Sequence, residues 1–445
     1  MKRRNYYYIH KTYKHNAGFY FTKMSFFSLP RTTLLLHKYI DCIEQEEMPT
    51  PVISNSLSQY LYETKEKLEK KEKDWDIFKK YTNPYEYIHT VIPFKKKCVS
   101  KYKPLSRSYF KMIEIINTLN LDFDSRPIQT FHLAEGPGGF IEAIVNLRNS
   151  PHDIYTGMTI LDEKNDPNIP AWKKSENFLK RHENVKTEVG ADGTGNIISL
   201  DNFMHCRDNY GSSMDFVTAD GGFDFSLDFN NQEISISKLL FAQICFALVM
   251  QKKGGHFVLK IFDCFMQHSI DLLYILSSFY EKIYIVKPQT SRYANSEKYV
   301  VCKGFLFPHC DIFFPFLHRA FEKMVSSPNL KNTEELYIHR FVSVPISYFF
   351  LSKLEEYNAI FGQQQIENIH YTISLIENKH KQDKIDNLIK NNVQKCASWC
   401  IRHNIVYNTN LTTSSTGFIE SASIVQFADD NHDDLLDNDD LPMVF

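Results

Sequence analysis

The sequence predicts an α/β protein built on a mostly parallel sheet with helices on both faces, and three observations carry that prediction. Between about residues 101 and 310, short apolar runs alternate with longer helical stretches, as in strands joined by crossover helices. The segment Phe131-His132-Leu133-Ala134-Glu135-Gly136-Pro137-Gly138-Gly139-Phe140 reads as a strand, an acidic residue, a glycine-rich turn and a helix start. Glycines at such a turn let a ligand approach the backbone closely. Two more apolar strands end in charge: Phe216–Thr218 runs into Ala219-Asp220-Gly221-Gly222, and His256–Leu259 runs into Lys260.

Taken in order, Ser56–Lys80 is expected to be helical, its Lys65–Lys73 charge run forming a solvated face, with Pro84 and Pro93 ending the pattern. The Lys95-Lys96-Lys97 run reads as an exposed loop. A helix is expected over Ser106–Leu119, strands over Gln129–Leu133 and Ile154–Met158, and a helix over Phe140–Leu147. After the Phe216 strand come a long apolar helix, Ile234–Met250, a turn at Gly254-Gly255 and the His256 strand. A helix over Ser269–Phe279 and strands over Ile283–Val286 and Lys298–Cys302 complete the series. The last strand arrives without an intervening helix, so it is expected as an antiparallel partner at the sheet edge. The organisation is then a mainly helical region 1–100, the α/β domain 101–310, a mainly helical region 311–425 with stretches at Leu351–Phe361 and Ile366–Ile376, and an acidic, disordered tail 426–445.

Composition bounds the partners. The 445 residues are 43% apolar with a formal net charge of −2, so a nucleic-acid surface must be a local basic patch. Nine scattered cysteines suggest no disulfide framework and a reducing, intracellular compartment. Cys396-x3-Cys400-x2-His403 lacks a second ligand pair, which makes a helical core pair the expectation and leaves no metal site. No stretch was expected to approach the ~20 apolar residues of a membrane span, and the basic Met1-Lys2-Arg3-Arg4 lacks the apolar core of a signal peptide.

Four charged residues add chemistry: Lys111 in Ser108-Tyr109-Phe110-Lys111, Asp220, Lys260, and Glu297 in Asn295-Ser296-Glu297-Lys298. Asp220 and Lys260 end apolar strands, where an unpaired charge is costly, and the glycines after Asp220 open space beside it. In their order and settings these residues resemble the Lys-Asp-Lys-Glu tetrad of the FtsJ/RrmJ superfamily of S-adenosylmethionine-dependent RNA ribose 2′-O-methyltransferases. Glu135–Ile141, Val217–Asp224, Gly254–Lys260, Val286–Ser291 and Asn295–Glu297 are most similar to the adrift-type branch, which includes cap methyltransferases. The likeness spans roughly 105–305.

The resemblance implies a Rossmann-like methyltransferase fold, a mostly parallel seven-stranded sheet with one antiparallel strand, flanked by helical N- and C-terminal regions. It implies S-adenosyl-L-methionine as cofactor and RNA as substrate, most readily a capped mRNA 5′ end, with capping or transcription machinery as partners. Lys111, Asp220, Lys260 and Glu297 become the catalytic candidates, Lys260 steering or deprotonating the 2′-hydroxyl while Asp220 positions it and Glu297 orients Lys111 or the ribose. Glu135, Gly136, Pro137, Gly138, Gly139, Phe140, Thr159, Asp162, Asp192, Asn196 and Asp220 are the cofactor candidates. Glu135 would meet the methionine ammonium and Thr159 or Asp162 the ribose. Adenine falls to Asp192 or Asn196, where Asn196 replaces the acid usual in that family. Arg107, Tyr109, Arg292, Tyr293 and the Lys95–Lys97 run are RNA candidates, through stacking and backbone charge. A rich Lys, Asn and Ile content and unmatched flanks suit a large cytoplasmic DNA virus, which implies the host cytoplasm or the virion. The alternative is a non-catalytic RNA- or partner-binding protein on a degenerate methyltransferase scaffold. A dehydrogenase would want a third glycine at Gly-x-Gly-x-x-Gly spacing, absent here.

Overall fold

A computed structural model describes residues 24–411 other than 70, 122, 124, 162–170, 223–230 and 327–335. Asp162, Phe223-Asp224, the first 23 residues and the acidic tail therefore lie outside the described residues.

The strands and helices run in the order β1 (Ser25–Leu29), β2 (Ile40–Gln45), α1 (Asn55–Glu69), α2 (Glu72–Thr82), α3 (Ser108–Leu119), β3 (Gln129–Leu133), α4 (Gly139–Arg148), β4 (Ile154–Met158), α5 (Glu176–Arg181) and β5 (Val185–Glu188). They continue with α6 (Leu200–Tyr210), β6 (Met214–Ala219), α7 (Gln232–Ser235), α8 (Ser237–Met250), β7 (Gln251–Ile261), α9 (Gln267–Phe279), β8 (Tyr280–Lys287), β9 (Lys298–Phe305), α10 (Phe314–Ser326), β10 (Tyr337–Val342), α11 (Tyr348–Glu377) and α12 (Gln382–Arg402). The main sheet has eight strands in the order β1-β8-β9-β7-β6-β3-β4-β5. Strands β7, β6, β3, β4 and β5 pair in parallel.

Several expectations change here. The antiparallel β9 is not at the edge; it lies between β7 and β8. The edge belongs to β1, an eighth strand from the N-terminal flank, pairing antiparallel with β8. Gly254-Gly255 is no separate turn but an irregular part of β7, where pairing jumps from Met214↔Gln251 to Phe216↔His256. The two flanks are also not independent helical regions. Strands β2 and β10 form a small antiparallel sheet, α1 and α2 pack on α11, and α12 packs on α2. Ser56–Lys80 is split into α1 and α2, and the charge run is not all solvated, because Lys65 is buried against Asp263 at 2.9 Å. The two C-terminal stretches are one helix, α11.

The core lies on both faces of the sheet. Alternate residues of the central strands face opposite ways: Val217, Ala219, Leu259 and Val300 join α8, α9 and α10, whereas Phe216, Val258, Tyr299 and Val301 join α3, α4 and α12. Gln232–Met250, against expectation, is long and apolar enough to cross a membrane, and it is packed inside the protein as the central helix of the first face. Cys396 and Cys400 are buried along α12, and no group of three or more metal-binding side chains occurs among the described residues.

Candidate active site

The strand period of two decides which face carries the charges. Asp220 continues the parity of Phe216, Lys260 that of Val258, and Glu297 that of Tyr299, so all three belong to the face covered by α3 and α4. Lys111 reaches them from the first turns of α3 and is 6% exposed. Lys111 Nζ sits 2.8 Å from the Glu297 carboxylate. Lys260 Nζ lies 3.4 Å from Asp220 Oδ1 and donates to the Asp220 carbonyl at 2.7 Å. The Tyr299 hydroxyl donates to the same Oδ1 at 3.1 Å. All four predicted catalytic residues thus form one cluster of alternating charge.

Burial alone would raise the Glu297 carboxyl; the ammonium groups of Lys111, Lys260 and Lys287 outweigh it and hold the group well below the usual carboxylate range. Burial pulls Lys111 down, Glu297 and Asp220 restore part of the loss, and Arg107 adds repulsion, leaving it below its ordinary value. A Cβ on Gly222 would come 3.2 Å from Lys260 Nζ, so the glycine keeps the approach to that nitrogen open.

Three supports escaped the sequence reading. Lys287 is buried and donates to the Asn295 carbonyl (2.7 Å), Asn295 Oδ1 (2.8 Å) and the Glu297 carbonyl (2.6 Å), so its three N–H bonds fix the loop that delivers Glu297. Glu114, one helical turn beyond Lys111, accepts from the Gln289 and Thr290 amides at 2.9 and 3.2 Å and holds the other end of that loop. Tyr299 follows Glu297 by two and so shares its face. The signal for Tyr299 was that parity; for Lys287 there was none beyond its place in Val286–Ser291, and for Glu114 none at all, since burial of a charge is not visible in one sequence.

Several binding candidates turn out to be structural. Arg292 makes a two-pronged buried pair with Glu86 (2.9 and 2.5 Å), which removes it from the RNA candidates. Tyr109 is buried in the core, and burial pushes the Tyr293 hydroxyl up. Arg107 donates to the Thr290 carbonyl at 3.2 Å. Glu135 is 3% exposed, and its oxygens accept from the Phe140 and Ile141 amides (2.5 and 3.0 Å) and the Thr218 hydroxyl (2.9 Å). It caps the first turn of α4 and is not open to a ligand ammonium. Phe140 is fully buried core.

What remains lies at the carboxyl ends of β3, β4, β5 and β6, the place where open α/β sheets bind ligands. The Ala134 amide bonds the Met158 carbonyl (2.7 Å) and the Leu161 amide the Thr194 carbonyl (2.8 Å), joining the three loops. A Cβ on Gly136 would strike the Ala171 carbonyl at 2.3 Å, and one on Gly139 the Ser108 and Ser106 hydroxyls at 2.2 and 2.3 Å. These glycines therefore allow close chain packing, and only Ala134, Gly136 and Pro137 of the turn remain partly exposed before α4. Gly195 (φ +68°) lets the 190–196 loop press on the Thr159 carbonyl, which a Cβ would meet at 2.0 Å; Thr159 is itself buried. Asp192 accepts from Thr194, Ser199 and Asn202; burial works against these hydrogen bonds, which prevail and hold its carboxyl down at about 2. Asn196 Oδ1 accepts from the Ile198 amide at 2.9 Å. Both side chains shape their own loop. Ile160 and Leu161 stay exposed beside it, an apolar strip suited to a flat ring. The tight turn, the apolar strip and Asp220 fit a nucleoside-bearing cofactor.

Sheet order and the placement of these loops at the carboxyl ends of the parallel strands define the class, a Rossmann-like methyltransferase fold. Residues 104–305 match the family model of the FtsJ-like methyltransferases. It is 36% identical over 236 residues to the cap-specific mRNA (nucleoside-2′-O-)-methyltransferase 1 of Mus musculus, covering 50% of this chain and 27% of that protein. To the cap-specific mRNA (nucleoside-2′-O-)-methyltransferase 2 of Pongo abelii it is 29% identical over 347 residues, 72% of this chain and 41% of the relative. The chain thus spans well under half the length of these relatives. A solved ribosomal RNA methyltransferase structure from Plasmodium falciparum aligns at 18% identity and a TM-score of 0.32, over 45% of this chain and 98% of that one.

Proposed function

We propose that this protein methylates RNA ribose 2′-hydroxyls at the cap-proximal nucleotides of mRNA, using S-adenosyl-L-methionine. The observation that carries the reading is the cluster of Lys111, Asp220, Lys260 and Glu297 at the carboxyl ends of the strands, with the approach to Lys260 kept open by Gly222. The cofactor supplies an electrophilic methyl group on a sulfonium; the protein's part is alignment and proton management. Ala134, Gly136, Pro137 and the Ile160–Leu161 strip would hold it, with Asp220 at the reacting end. Asp220 accepts one N–H of Lys260 on its carbonyl and holds its carboxylate 3.4 Å from the same nitrogen, which leaves an N–H for the ribose 2′-oxygen. Lys260 donates to that oxygen and aligns it; as the O–C bond forms, the methyl C–S bond would break to leave a neutral thioether, and the hydroxyl proton would pass to solvent water. Glu297 keeps the Lys111 ammonium in place, and Lys287 keeps Glu297 in place.

The likeness to cap-specific mRNA methyltransferases supports the cap as the target, and capping or transcription machinery are the partners proposed with it. Free thiols at all nine cysteines support a reducing compartment, and the location proposed is the host cytoplasm or the virion of a large DNA virus. The test is transfer of labelled methyl to short capped and uncapped RNAs, followed by nuclease digestion. Label on the ribose of the first or second nucleotide of capped RNA is expected; label on a base, or none, refutes the reading.

A further inference from the structure

Residues 87–113 contain no acidic residue and seven Lys or Arg, in a chain with 53 acids against 51 Lys and Arg. Five of the seven, Lys95, Lys96, Lys97, Lys101 and Lys103, are exposed, and none has an ion-pair partner among the described residues. At the head of this stretch Phe94 is 97% exposed. It stands on a turn closed by two backbone bonds, Lys95 N–H to the Ile92 carbonyl (3.0 Å) and Ile92 N–H to the Lys97 carbonyl (2.9 Å). Phe94 and Lys96 both adopt left-handed backbone, at φ +65° and +47°, a conformation disfavoured for side chains of their size. Fully buried Ile92 and Val99 pin the turn to the core beneath. The sequence suggested a solvated lysine loop; it did not suggest an aromatic ring displayed in water, where burial would be favoured by its apolar area.

The stretch abuts the site at both ends. Glu86, just before it, clamps Arg292, and His89 lies in the field of Arg107 and Lys111. Tyr102, 37% exposed between Lys101 and Lys103, bonds Glu142 of α4, the helix that follows the glycine turn. An aromatic ring held out among unpaired lysines is the arrangement that binds single-stranded nucleic acid, bases stacking on the ring while ammonium groups track the phosphates.

We infer that Phe94 with Lys95, Lys96, Lys97, Lys101 and Lys103 is a docking strip for single-stranded RNA leading to the active site. Phe94 stacks on a base and the lysines contact phosphates. The inference rests on an RNA substrate, and its test is separable from methyl transfer. A fluorescent ten-nucleotide RNA is titrated against full-length wild type, Phe94→Ala and Lys95→Ala/Lys96→Ala/Lys97→Ala over a range of salt, with S-adenosylmethionine binding as a folding control. Phe94→Ala is expected to weaken RNA binding about tenfold, within the range of single-base stacking. The triple variant is expected to weaken it further and lower the salt slope by about 2. Both should keep wild-type cofactor affinity.

Equal RNA affinity and salt slope in all three proteins overturn the inference, as does wild type that binds no RNA. So does a change confined to oligomeric state, which would make the strip a contact between copies. RNA binding by wild type that the variants lose supports the strip even where wild type methylates nothing, and in that case only the proposed reaction fails.

Discussion

Replacing Glu297 by Gln keeps the side chain's shape and removes the one charge facing three ammonium groups. At the 2.8 Å separation of Lys111 and Glu297, the gross attraction is about 6 kcal/mol for an effective dielectric of about 20. Desolvation of both buried groups offsets much of it, and removal of one partner from such a pair costs about 3–5 kcal/mol because the other charge is stranded. Glu297→Gln is therefore expected to lose about 3–5 kcal/mol in urea unfolding at pH 7.5. Lys111→Met should lose less, because Lys260 and Lys287 still face the carboxylate. The double variant should lose at least about 1.5 kcal/mol less than the sum of the single losses, the signature of direct coupling. The pH dependence has a definite sign. A carboxyl held below its unfolded value stabilises above about pH 4.3 and loses that contribution as pH falls. Wild type should therefore lose stability more steeply than Glu297→Gln on acidification below that point. Additive single effects, or unchanged stability in Glu297→Gln, would refute the electrostatic account of the cluster.

The other expectations concern the supports. Burial pushes the Glu114 carboxyl up to about 7, against the hydrogen bonds it accepts from Gln289 and Thr290. Its stabilising contribution is then complete below about pH 4.5 and lost as pH rises through 7, so Glu114→Gln should show a shallower fall in melting temperature between pH 5 and 8 than wild type. A slope equal to wild type would remove Glu114 as its source. Lys287→Met should lower kcat at least about tenfold and leave the KM for RNA near wild type, because it frees the loop carrying Glu297; steady-state methylation kinetics check this, and unchanged kcat would refute it. Gly136→Ala forces a Cβ against the Ala171 carbonyl and should cost about 1–3 kcal/mol in thermal unfolding, while wild-type stability would show that the 171 segment can move aside.

The sheet was legible from short-range periodicity, and the cluster from its resemblance to the Lys-Asp-Lys-Glu tetrad, with the strand pattern explaining why the structure brings it together. Charges at the ends of apolar strands, with a period of two behind them, put Asp220, Lys260 and Glu297 on one face, and α3 follows from its own helical pattern. What could not be read was long-range pairing. Strand β1 has too little pattern of its own to announce that it completes the sheet, and β2 finds its partner in β10, about 300 residues away in the chain. Glu135, Arg292 and Phe140 looked like ligand contacts because their types suit the chemistry. Burial and internal hydrogen bonds, which a single sequence does not display, assign them instead to the helix cap, the Glu86 clamp and the core. Phe94 was missed for the opposite reason, since an aromatic residue beside lysines gives no sign of whether it turns inward or out.

The central claim is that Lys260, held by Asp220, manages the ribose hydroxyl. Its most direct test measures labelled methyl transfer to capped RNA by wild type and Lys260→Ala, with S-adenosylmethionine affinity measured on both by calorimetry. The account predicts 2′-O-methylation by wild type, its loss by at least about a hundredfold in Lys260→Ala, and equal cofactor affinity. Methylation by Lys260→Ala at the wild-type rate would contradict it.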